Sequence, residues 1–118
     1  MHDVLYYAMI GAFFSHELDA VKRHEWRLLP LLRSLPEQMG EQLFIWLHVP
    51  LLALLLWGGD GDPGSVTRVG LAVFAIVHVG LHFVFRRHPA YEFNTLSSWG
   101  LILLTGFLGA MYLGLIVT

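Results

Sequence analysis

Four apolar runs dominate the chain: Val4 to about Ala20, Leu43 to Trp57, Val66 to Phe85, and Leu96 to Val117. An α-helix needs about 20 residues, within a range of about 17 to 25, to cross the hydrocarbon of a bilayer. The third and fourth runs are long enough as they stand. The first reaches that length only by including His16, Glu17 and Asp19, and the second only by recruiting Glu41 and Gln42. Those polar residues therefore belong to the helices. The expected fold is all-α: an integral membrane four-helix bundle, with spans at about residues 4–21, 41–57, 66–86 and 95–117 and an interfacial segment between helices 1 and 2. One transmembrane domain over residues 1–118 is expected, since no internal repeat or low-complexity tract divides the chain. Composition agrees: 56% of the 118 residues are hydrophobic and 14% charged, more apolar than a soluble domain of this size can hide.

The connections set an orientation. In "EWRLLPLLRSLPEQMGEQ", Leu28, Leu31, Leu32 and Leu35 fall at helical spacing, but Pro30 and Pro36 prevent one regular helix. The segment reads as interfacial, with Trp26 at headgroup level. "GGDGDPGS" is a turn-forming link, and its Asp60 and Asp62 lack the rest of a calcium loop. Lys22, Arg23, Arg27, Arg33, Arg86 and Arg87 fall on one side and only Arg68 on the other, so the positive-inside rule places both termini outside the cytoplasm. Met1, His2 and Asp3 supply no positive n-region, and the first run is expected to stay in the mature chain. A net charge of -2 without a basic cluster argues against a nucleic-acid partner, and none is expected. The absence of cysteine excludes disulfides and thiolate metal sites.

Within these spans the titratable groups share one depth. His16 lies four or five residues before the cytoplasmic end of helix 1, His48 about seven after the start of helix 2, and His78 and His82 about eight and four before the end of helix 3. At about 1.5 Å per residue, all four are within roughly 6 to 12 Å of one boundary. "HVGLH" sets His78 and His82 at i,i+4, the spacing that lets two imidazoles reach one metal. A charged side chain at the centre of a span costs about 2.5 to 3.5 kcal/mol, and such groups usually face one another inside a bundle. A lone intramembrane His is more often a hydrogen-bonded packing residue than a ligand, but a layer across three helices argues for a shared site.

The expected metal set is therefore His16, His48, His78 and His82, with Glu17 and Asp19 as further ligands or their supports. Without sulfur, zinc or non-haem iron suits it. Glu17, deeper and longer, is assigned to ligand or general base, and Asp19 to orienting His16 or an adjacent ligand. His24, Glu25 and His88 read as interfacial charges. Glu92 and Asn94 either fold over the site as a lid or cap helix 4. Pro50 is expected to kink helix 2 and free the Trp46 carbonyl. Gly100, Gly106, Gly109 and Gly114 are expected to permit close helix packing.

"SHELDAVKRHEWRLLPLL", "WLHVPL", "VHVGLHFVFRRHPAYEFN" and "SSWGLILL" together resemble a family of short, uncharacterised bacterial inner-membrane proteins with four spans, over almost the whole chain. The resemblance implies that His16, Glu17, Asp19, Glu25, His48, His78, His82, Glu92 and Asn94 lie on recurring motifs. It implies no activity. A looser similarity runs to membrane metal-dependent hydroxylases and desaturases, which carry several His-rich boxes where this chain has one.

The leading expectation is a metal-dependent membrane enzyme, a hydrolase or an oxidoreductase, acting on a lipid or other amphiphile. Two His on different helices also suit axial ligation of a haem. Intramembrane His and carboxylates mark ion pathways as well, although the far half of the bundle offers only Tyr6, Tyr7, Thr105 and Tyr112 as a relay. A scaffold held by a polar layer is the plainest reading. The expected partners are the bilayer and a lipid-like substrate, with a homo-oligomer left open.

Overall fold

Each apolar run forms one helix in the computed structural model, which describes residues 1–118. The helices are α1 (His2–Lys22), α2 (Glu37–Gly58), α3 (Val66–Phe85) and α4 (Leu96–Val117), and there are no strands. Two boundaries follow from side-chain caps. Ser65 accepts a hydrogen bond from the Arg68 amide to start α3, and Thr95 accepts one from the Ser98 amide to start α4. α2 begins after Pro36, at Glu37, six residues before the apolar run and four before the expected span, and continues through Pro50 without interruption.

Three of the helices, α2, α3 and α4, are long and apolar enough to cross a membrane. The molecule is 44 Å along its longest axis, comparable with the roughly 40 to 45 Å of a bilayer with its headgroups. α1 has similar length but carries Asp3, Glu17, Asp19 and Lys22. It is packed accordingly: eight of its residues are buried, against two, Gly40 and Phe44, on α2. The core is thus built by α1, α3 and α4, and α2 lies alongside as a peripheral fourth member rather than an equal one.

Glycine explains the closest approach. A Cβ at Gly109 would meet the Ala72 carbonyl oxygen at 2.6 Å, so α3 and α4 pack backbone to backbone there, and one at Gly106 would meet the Val79 side chain at 2.5 Å. Gly100 and Gly114, expected to act the same way, face open space.

The segment between α1 and α2 folds into two short 3-10 helices, Glu25–Arg27 and Leu32–Ser34. Trp26, expected at headgroup level, is only 1% exposed, packed with Phe44 and against Gly40, where a Cβ would lie 3.0 Å from its ring. Leu28 and Leu32 are buried with it, while Leu29 and Leu31 remain exposed. At the opposite end, Arg68 is buried in the first turn of α3, paired with Asp3 at 2.7 Å, bonded to the Gly59 carbonyl and set over the Tyr6 ring. It ties the start of α1 to the α2–α3 link.

Two apolar clusters result. Leu5, Tyr6, Met9, Phe13, Leu71 and Tyr112 belong to one, and Ala20, Trp26, Phe44, Tyr91, Phe93 and Ile102 to the other. The polar layer sits between them: along α1, Phe13 belongs to the first cluster, Ala20 to the second, and His16 falls between.

Candidate metal centre

His16 projects from α1 into the seam with α3, where the i,i+4 pair His78 and His82 occupies adjacent turns of one face. The His16 ring centroid is 4.6 Å from that of His78 and 5.0 Å from that of His82, and the two α3 rings are 4.5 Å apart. A carboxylate completes the group. The chain leaves α1 through Arg23 and takes a left-handed turn at His24 (φ 57°, ψ 45°), which sets Glu25 beneath the histidines. One ligand atom from each of His16, Glu25, His78 and His82 lies within 4.8 Å of the other three.

The surroundings of these rings are apolar. Phe13 packs on His78, and Phe93 packs on both His16 and His82. His16 is wholly buried and His78 only 6% exposed, and neither ring nitrogen of either residue has a hydrogen-bond partner. Leaving a buried polar group unpaired costs about 1 to 3 kcal/mol. His82 is better supplied, with Nδ1 3.0 Å from the Tyr91 hydroxyl and Nε2 3.5 Å from Glu25. Burial, with Glu25 nearby, pushes the Tyr91 phenol above its ordinary range, so the hydroxyl keeps its proton beside His82.

These residues fit a divalent ion. Zinc–nitrogen bonds of about 2.0 to 2.1 Å put tetrahedral ligand atoms about 3.3 Å apart. A set within 4.8 Å closes to that size by side-chain movements of about 1 Å per ligand. The unpaired nitrogens of His16 and His78 are the lone pairs such an ion would use.

The structure brings together part of the expected set and adds to it. His16, His78 and His82 converge, whereas His48, Glu17 and Asp19 lie outside that group. His48 Nε2 is 2.5 Å from Glu17 Oε2 and its Nδ1 is 2.6 Å from the Phe44 carbonyl, so both nitrogens are engaged. Glu17 stands between the two regions, its Oε1 3.8 Å from His16 Nε2. Asp19 faces elsewhere: it accepts a hydrogen bond from Ser98 at 2.6 Å and one from Arg23 at 3.2 Å, and so joins α1 to α4. Glu92 pairs with His24 at 2.8 Å and Arg27 at 3.3 Å, clasping the loop before α4 to the loop after α1. Asn94 is exposed and Thr95, not Glu92 or Asn94, caps α4. His88 accepts a hydrogen bond from the Ala90 amide within its own loop.

Glu25 and Tyr91 were missed as members of the site by residue type and depth. Glu25 sits in the "EWR" stretch that the resemblance singles out, which is the one available signal. Its position depends on the turn at His24, a left-handed residue that is not glycine, and nothing in the spacing announces that turn.

An apolar groove reaches the centre from the side. It has a volume of about 360 Å³, and its lining includes Glu25, His78, His82 and Tyr91 together with apolar residues of α3 and the first loop. A smaller groove of about 160 Å³ between α1 and α2 exposes Glu17 and His48. A cavity of about 500 Å³ at the other end, among His2, Asp3, Asp60, Asp62 and Arg68, touches none of the clustered histidines.

Fold and site together define a small helical protein with apolar helices of membrane-spanning length and a buried histidine–glutamate cluster. The chain belongs to a family of unknown function (DUF6713), whose model matches residues 2–118. No curated protein and no solved structure matches it.

Proposed function

We propose that this protein is a metal-dependent enzyme of the bacterial inner membrane, a single four-span domain with both termini outside the cytoplasm, acting on a lipid or other amphiphile. The observation that carries the reading is the convergence of His16, His78, His82 and Glu25 with unpaired imidazole nitrogens next to an apolar groove. In this reading α1 is the fourth span, its acidic residues tolerated because they face partners inside the protein.

His16, His78 and His82 would hold zinc or non-haem iron, with Glu25 as the fourth ligand or a neighbouring carboxylate. A bound ion supplies Lewis acidity and lowers the pKa of a water attached to it. The remaining steps belong to the chain. Tyr91 accepts the Nδ1 proton of His82 as a hydrogen bond and thereby fixes the tautomer that presents Nε2 to the ion. Glu17, held by His48 on one oxygen, presents the other 3.8 Å from His16 and would take a proton from a water on the His16 side of the centre, away from the apolar groove, as general base. Phe13 and Phe93 keep bulk water from the rings.

Ring spacing favours a bare ion over haem. Centroids 4.5 to 5.0 Å apart, with Phe13 and Phe93 closing the flanks, leave no slot for a macrocycle between two axial imidazoles. Elemental analysis of protein purified without a His-tag tests the reading: about one zinc or iron per chain is expected, and a Soret band or metal-free protein that stays metal-free on titration overturns it.

A further inference from the structure

The groove that reaches the histidines has two kinds of lining. Leu28, Leu29 and Pro30 from the first loop and Phe74, Leu81 and Phe85 from α3 line it, together with Glu25, His78, His82 and Tyr91. Phe74 and Leu81 are 48% and 45% exposed on the outer face of α3. In a membrane that face meets lipid, so the groove opens sideways into hydrocarbon rather than to water.

Depth gives the groove a direction. Phe85 ends α3 and Phe74 lies three turns further in, with His82 and His78 between them. Leu29 and Pro30 sit at the Phe85 end, where the first loop lies. A molecule lying in the groove therefore has one end at the membrane interface and the other in the hydrocarbon, and passes the histidines on the way. The surface the groove offers is almost wholly apolar, and the nitrogens of His78 lie just behind it, buried and without a partner.

Size narrows the occupant. About 360 Å³ is near the bottom of the range of about 300 to 1,000 Å³ for ligand pockets. The smaller α1–α2 groove lies on the Glu17 and His48 side and touches none of the clustered residues, so the centre is reached from one groove of single-chain size.

We infer that this groove binds one hydrocarbon chain of a single-chain lipid, with its polar head at the Leu29–Phe85 rim, its carbonyl or first carbons at His78 and His82, and its tail past Phe74. The assignment rests on the proposed metal centre for its chemistry and on the groove for its geometry, and the two are separable by experiment.

The test uses the full-length protein in detergent with two photoactivatable fatty acids, one bearing a diazirine near the carboxyl group and one at the chain end. Adducts are mapped by mass spectrometry, and bound metal is measured in the same samples. The carboxyl-proximal probe should label Leu29 or Phe85, and the terminal probe Phe74. Leu81→Trp, which fills the groove, should abolish both adducts with metal content unchanged, whereas Leu54→Trp on the exposed face of α2 should leave them intact. Unlabelled fatty acid should compete and diacyl phosphatidylcholine should not. Labelling spread evenly over α2 and α4, retention of labelling in Leu81→Trp, or equal competition by the diacyl lipid overturns the single-chain groove while leaving the metal centre standing. Groove labelling in protein that binds no metal supports the groove and overturns the metal centre alone.

Discussion

His16 on α1 and His78 on α3 meet edge to face with ring centroids 4.6 Å apart, and all four of their ring nitrogens lack a hydrogen-bond partner. Two buried imidazoles in contact, each unpaired, are a costly arrangement for a packing layer alone. A shared ion would relieve part of that cost at both residues, taking the one lone pair of each neutral ring and leaving its N–H.

Substitution of the clustered histidines is the first consequence. His16→Ala, His78→Ala and His82→Ala are each expected to remove most bound metal. His48→Ala and His88→Ala should retain it, since His48 is occupied by Glu17 and Phe44, and His88 by its own loop. Metal-to-protein ratios in the five variants decide the matter, and equal ratios throughout refute the centre.

Glu25→Gln and Glu17→Gln should separate binding from chemistry. The first is expected to lower metal affinity, because Glu25 lies within the ligand set. The second should keep the metal and lose turnover on an amphiphilic substrate, because Glu17 stands beside His16 rather than within the set. The reverse pattern in metal titrations exchanges their roles.

Tyr91→Phe removes the hydroxyl that orients His82 without changing the ring. Loss of such a supporting hydrogen bond typically costs about 10- to 100-fold in metal affinity, and competition with a chelator measures it. The same phenol sets a sign for alkaline stability. Its pKa is raised in the folded protein, so both states keep the proton below the unfolded tyrosine value of about 10. Above that value the unfolded chain ionises first and the folded state loses stability. Tyr91→Phe should make that loss shallower in unfolding measured against pH.

Helix packing gives a stability contrast. Gly109→Ala places a methyl against the Ala72 carbonyl and should destabilise by about 1 to 3 kcal/mol. Gly100→Ala meets nothing and should stabilise by about 0.5 to 1 kcal/mol. Asp19→Asn weakens the acceptor for Ser98 and Arg23, bonds of a type worth about 1.5 to 3 kcal/mol to a charged group, and should lower thermal stability in detergent while leaving metal content unchanged.

Orientation is checked at Thr118. With both termini outside, an alkaline phosphatase fusion there should be active and a cytoplasm-dependent reporter dark. The opposite result reverses the orientation without altering the geometry around His16.

Helix number and approximate limits were legible in the sequence, because an apolar run of span length admits one secondary structure and Ser65 and Thr95 mark starts in the residues themselves. The i,i+4 spacing of His78 and His82 placed them on one face for the same local reason, and a common depth brought His16 into their layer. Rotation and proximity were not legible. Depth alone assigned His48 to the histidines, yet α2 packs at the periphery and its imidazole pairs with Glu17. Angle on the helix put Asp19 near His16, yet a serine 79 positions away on α4 holds its carboxylate. Glu25 looked interfacial until the left-handed turn at His24 returned it beneath the cluster. Local pattern determines which residues lie on which helix and how deep, since both follow from a fixed rise and turn per residue. Which faces meet, and which polar groups remain without a partner, depends on contacts between segments far apart in the chain, and the packed structure alone decided those.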